Sequence, residues 1–125
     1  MKKILRVLVS LVALVLLVSG VRWLIDPSAA AGALGMTLQD GVGRSSQIGD
    51  MSAYFIAFGL FVLLGLVTVK RSWFYAPVIV LGLTAVFRIM AWLLHDAALA
   101  VDLIIAEIVI VSLLGLAIRH LAERE

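Results

Sequence analysis

Apolar positions in this chain are gathered into four long blocks, with polar residues confined mostly to the joints between them. Residues 5–25, 48–69, 73–94 and 98–118 each supply close to the roughly 20 residues that a helix needs to cross a bilayer. In hydrocarbon every backbone N–H and C=O must be paired within the segment, so apolar runs of this length predict helices. The joint between the second and third blocks is Lys70-Arg71-Ser72, and the joint between the third and fourth is centred on His95-Asp96-Ala97. Joints this short force antiparallel neighbours. The expected fold is all-α, a single domain over residues 1–125 built as an up-and-down bundle of four transmembrane helices.

The first block admits two readings. Its apolar run from Val7 follows Lys2, Lys3 and Arg6, so residues 7–18 resemble the apolar region of a secretory signal peptide, with Ser19 and Gly20 at a tolerable cleavage site. The apolar run continues, however, to Trp23, expected at the membrane interface, and three further spans follow. A retained first helix is the reading adopted.

The longest joint, residues 26–49, has its own plan. Asp26 is placed to cap a short helix opening at Pro27, an Ala-rich stretch over residues 27–34 forms it, and Gly35 ends it. The stretch is too short to span, so it is expected to lie at the outer surface, as a lid or simply as a link. Asp40-Gly41-Val42-Gly43 then reads as a flexible turn before the second span.

Charge adds direction. Lys2, Lys3, Arg6, Lys70, Arg71, Arg119 and Arg124 fall on one side of the four blocks, whereas only Arg22 and Arg44 fall on the other. Because cytoplasmic loops carry the excess of Lys and Arg, both termini are expected in the cytoplasm of a bacterial inner-membrane protein.

Composition narrows the function classes. Of 125 residues, 64% are hydrophobic and 14% charged, the formal net charge is +2, and no basic stripe suited to nucleic acid is present. There is no cysteine, which removes disulfides, thiolate nucleophiles and sulfur-ligated metals. His95 and His120 sit at opposite ends of the fourth span, too far apart to clamp one metal or haem, and no metal site is expected. Ser45, Ser46 or Ser52 with His95 and Asp96 match a hydrolase triad in residue type only, with no nucleophile-elbow motif.

Ionisable residues inside a span are costly, so each invites a function and a partner. Arg88 and Glu107 are the clearest cases. Counting about 1.5 Å per residue, they lie roughly 9 Å and 13 Å below the same end of adjacent helices, which predicts an Arg88–Glu107 ion pair. Asp50 stands at the mouth of the second span as a competing partner, with Tyr54 one turn deeper. Thr84, Arg88, Trp92 and His95 share a helical face and predict a pocket wall. Asp102 points well away from Glu107, towards water. Ala53, Ala57, Gly59 and Gly65, and in the last span Ser112 and Gly115, are small residues at helix-packing spacings. One reading of the polar cluster is a satisfied ion network that fixes helix register. The sharper reading is a cavity open to the outer side that binds an amphipathic ligand through Asp50, Tyr54, Arg88, Trp92 and Glu107.

Asp26-Pro27, the Ala-rich segment ending at Gly35, Asp50-Met51-Ser52-Ala53 ahead of Phe58-Gly59-Leu60-Phe61, Arg88, Asp96 and Glu107 together form a dispersed pattern over nearly the whole chain. In this the chain resembles a bacterial domain-of-unknown-function family of four-helix membrane proteins, DoxX-like in plan. Where that pattern has a glycine pair after the acidic residue, this chain has Ser52 and Ala53. The resemblance implies no established activity. It implies that Asp50, Arg88 and Glu107 occupy the polar positions, and through DoxX-like subunits of membrane oxidoreductases it makes quinone the cofactor to consider.

Three functions follow as expectations. The first is a binding protein or accessory subunit for a lipid or quinone, acting alone, as a homo-oligomer or beside a partner membrane subunit. A small proton-coupled transporter is the second, although the acid-free first span and strong charge bias weigh against it. The third is an isomerase-type membrane enzyme using a buried carboxylate, a role the Arg partner opposes.

Overall fold

The computed structural model describes residues 1–123, so Arg124, counted above on the basic side, lies outside the described residues. Five helices follow in order: α1 Lys2–Ile25, α2 Pro27–Ala33, α3 Gly41–Thr68, α4 Ser72–His95 and α5 Val101–His120. Among the described residues there is no strand beyond one isolated bridge between Lys70 and Glu123. α1, α3, α4 and α5 are each long and apolar enough to cross a membrane.

Helix α1 lies along α3, α3 meets α4, α4 meets α5, and α5 returns to α1, closing a four-helix ring. On α1 the inward residues Leu5, Val9, Val12, Leu16 and Gly20 recur at three- and four-residue spacings, giving one stripe towards α3. Two glycines let these helices close up. A Cβ on Gly20 would press into Ile56 and come within 3.1 Å of the Ser52 carbonyl; one on Gly59 would lie within 3.1 Å of the Ala13 carbonyl. Gly65 likewise receives the Phe74 ring of α4. Three of the remaining small residues do not behave as expected: Ala53 is exposed, as are Ser112 and Gly115, and a Cβ on Gly115 would meet nothing within 4 Å, whereas Ala57 is half-buried. α5 turns that stripe outward because Leu114 and Ala117 occupy its buried face.

The bundle is sealed at the end that carries the termini. Val9, Val62, Phe74, Leu114 and Ala117 are fully buried there, with Leu5 and Leu121 beside them. The α3–α4 turn is laced to the end of α5: Glu123 N–H donates to the Val69 carbonyl at 2.7 Å and Arg71 Nη2 to the Ile118 carbonyl at 3.1 Å. Val69, which accepts the first of these bonds, is in a left-handed conformation (φ 60°) that a β-branched residue rarely adopts.

At the opposite end α2 forms as expected. The Asp26 carboxylate accepts from Ala29 N–H, Pro27 opens the helix, and Gly35 (φ +74°) follows it. Trp23, near the end of α1, is 1% exposed. The short side chains of Ala30 and Ala31 let α2 sit directly on the indole, with Leu34, Ile48, Met51 and Phe55 packed around them. α2 is thus docked on the bundle through its own small core.

Helix α3 begins at Gly41, seven residues before the expected residue 48, so residues 41–43 belong to the helix and form no flexible turn. Side-chain bonds outweigh the poor helix propensity of the glycines here. Gln47 accepts from Gln39 N–H at 2.8 Å and donates to the Thr37 carbonyl at 3.1 Å, while Arg44 pairs with Asp40 at 3.0 Å. The strap over residues 36–40 is fastened to the first turns of α3 in this way.

Candidate functional site

Hydroxyl groups within the long helices satisfy themselves locally. Ser10, Ser19, Thr68, Thr84 and Ser112 each donate to the carbonyl four residues earlier, the usual arrangement in hydrocarbon. Arg88 and Glu107 need each other. Arg88 Nε donates to Glu107 Oε1 at 2.8 Å, joining α4 to α5 as the charge pattern predicts. Because α5 starts at Val101, three residues beyond the expected residue 98, Glu107 lies only about 9 Å along its helix and Arg88 about 10 Å from the end of α4. Their depths match more closely than expected.

The pair is not sealed. The Arg88 side chain is 27% exposed and that of Glu107 11%, both towards a cavity of about 530 Å³. Cavities of this size hold small molecules. Apolar residues of all four long helices form most of its wall, including Leu16, Phe55, Leu81, Leu103 and Ile110. Its polar positions are Ser19, Tyr54, Thr84, Arg88 and Glu107. Since Thr84 donates its one proton to the Val80 carbonyl at 2.7 Å, the 3.4 Å contact with Tyr54 has the Tyr54 hydroxyl as donor. The Tyr54 ring is held edge-on against Phe55 and Phe58, with centroids 5.2 Å and 4.6 Å away. Arg88 spends only Nε on Glu107; among the described residues its Nη1 and Nη2 make no hydrogen bond.

Three of the five residues expected to bind a ligand therefore line one cavity: Tyr54, Arg88 and Glu107. Asp50 and Trp92 do not. Asp50 is exposed and forms no ion pair among the described residues, so it does not compete for Arg88. The face of α3 towards the cavity is Met51-Tyr54-Phe55, and at about 100° per residue Asp50 is turned roughly a quarter-circle from its centre. On α4 that face is Leu81, Thr84, Phe87, Arg88 and Ala91, which leaves Trp92 at 46% exposure on the flank and His95 exposed at the helix end. Ala91 and Met51, each one residue before or after the expected position, stand in their places. Asp102 is exposed, as expected.

Two sets of lining residues bound the cavity towards its surroundings. Leu34 and Met36, on the connection between α2 and α3, roof the cavity at the α2 end. Its lining residues Val15, Phe87 and Ala106 are exposed on the bundle's flank, so the cavity opens sideways at mid-helix depth. The connection expected to act as a lid or a link thus borders the cavity. Ser52 is buried and bonds the Gly49 carbonyl, and no hydrogen bond links it to His95 among the described residues. No group of three or more His, Asp or Glu side chains is assembled for a metal among the described residues.

No family model, no curated protein and no solved structure matches the chain.

Proposed function

We propose that this chain is a multi-pass protein of the bacterial inner membrane, with both termini in the cytoplasm, that binds a small amphipathic ligand, a lipid or a quinone. The observation that carries the reading is the apolar cavity of about 530 Å³ with an Arg88–Glu107 pair in its wall. A wall of this composition solvates a hydrocarbon tail, while the unused guanidinium edge, the Tyr54 oxygen and the second Glu107 oxygen offer a polar head directional contacts. The sideways opening supports loading from the bilayer rather than from water. The excess of Lys and Arg at the terminal end supports the orientation. The DoxX-like pattern supports the choice of ligand class, and a role as accessory subunit or as a homo-oligomer accords with a chain that offers a cavity without an evident set of catalytic groups.

Native mass spectrometry of the protein, extracted with polymer and then washed with detergent, tests the reading. The wild type is expected to retain one small hydrophobic molecule per chain. Ala106→Trp, which fills the cavity from its exposed edge, is expected to lose it at least tenfold. Equal retention by the two proteins would remove the proposal.

A further inference from the structure

A second property of the cavity concerns the charge of its occupant. Its lining holds two formally charged side chains, Arg88 and Glu107, and they are joined to each other at 2.8 Å. The other polar groups, Ser19, Tyr54 and Thr84, are hydroxyls. Arg22, Asp26 and Asp50 are exposed and lie off its wall. The site is therefore electrically balanced before anything enters. An anionic head placed here would leave one net negative charge in a low-dielectric space, and an ammonium head one net positive charge. Either costs more than an uncharged head that forms the same hydrogen bonds.

The hydrogen-bond inventory points the same way. Among the described residues Arg88 presents Nη1 and Nη2 without protein partners, and a carbonyl oxygen satisfies such donors without bringing charge. With its proton given to Thr84, the Tyr54 oxygen remains an acceptor, and so does the second oxygen of Glu107. Resting on the binding role proposed above, we infer that the cavity selects an uncharged lipid head bearing a hydrogen-bond acceptor, and that Glu107 sets this choice by neutralising Arg88. Glu107 acts as a specificity determinant: without its charge the same cavity becomes an anion site.

Two photoreactive lipids with the same diazirine-bearing chain separate these cases, a monoacylglycerol and an alkyl sulfate that stays anionic at every working pH. The full chain in nanodiscs of a zwitterionic lipid is irradiated with each, and labelled peptides carrying residues 81–91 and 103–110 are counted. The wild type is expected to take the monoacylglycerol at least tenfold over the sulfate, and Glu107→Gln to reverse that preference. The double variant Arg88→Gln/Glu107→Gln is balanced again and is expected to restore it, which guards against a single variant that fails through misfolding. If the wild type takes the sulfate as well as the monoacylglycerol, selection by charge is wrong while the binding site stands. Labelling of those peptides by neither lipid would overturn both.

Discussion

The two ends of the bundle are built from the same four helices and solve opposite problems. At the terminal end Val9, Val62, Phe74 and Leu114 are fully buried, Gly65 makes room for a ring, and two backbone-directed hydrogen bonds stitch the α3–α4 turn to α5. At the α2 end the helices surround a cavity, an ion pair replaces an apolar contact, and closure is delegated to α2 and the strap that follows it. Lipid tails are as apolar as leucine, so burial alone gives little reason for helices to associate in a membrane; close packing and polar bonds must hold them. The terminal end has that packing. Its close packing lets the α2 end keep a cavity between the same four helices.

The sharpest way to break this contrast is to hollow the closed end. Phe74→Ala removes a fully buried ring seated on Gly65 and is expected to cost near the lower end of roughly 3–5 kcal/mol, since the packing loss applies but the transfer from water does not. Leu81→Ala is expected to cost clearly less, because Leu81 already borders empty space. Reversible unfolding in mixed micelles measures both. Equal costs would mean that the cavity end is as tightly packed as the terminal end.

A middle-sized effect probes where the helices touch. Gly59→Val drives a side chain into Leu17 and the Ala13 carbonyl and is expected to cost about 1–3 kcal/mol by overpacking. Gly115→Ala, open on its outer side, is expected to be neutral or stabilising by about 0.5–1 kcal/mol through helix propensity. The same micelle titration distinguishes them. A cost at Gly115 like that at Gly59 would indicate that another surface covers α5.

That pair also shows what was legible beforehand. Span number, antiparallel order and the capped α2 helix followed from apolar block length, joint length and the Asp26-Pro27 signal. The Arg88–Glu107 bond followed from matched depths, because two costly charges on neighbouring helices leave few ways to satisfy both. Facing did not follow. In a chain that is apolar all round, hydrophobicity cannot tell inside from outside, so Gly59 and Gly115 look alike in sequence although one is buried and the other bare. The burial of Trp23 and the early start of α3 were hidden for another reason: each depends on a partner brought in from the α2 connection, Ala30 and Ala31 in one case and Thr37 and Gln39 in the other.

The smallest expected effect tests the line between cavity and flank. Asp50 and Trp92 belong to the polar cluster in sequence yet stand off the cavity wall, one beside Met51 and the other beside Ala91. Asp50→Asn and Trp92→Leu are expected to shift stability by no more than about 0.5 kcal/mol, as exposed positions do, and to leave photolabelling by the monoacylglycerol unchanged. Met51→Trp, projecting into the cavity from the neighbouring position, is expected to abolish that labelling. Asp50 and Met51 are adjacent on one helix, which turns their side chains about 100° apart. Loss of labelling in Asp50→Asn with retention in Met51→Trp would place the binding face a full residue step from where the helix presents it.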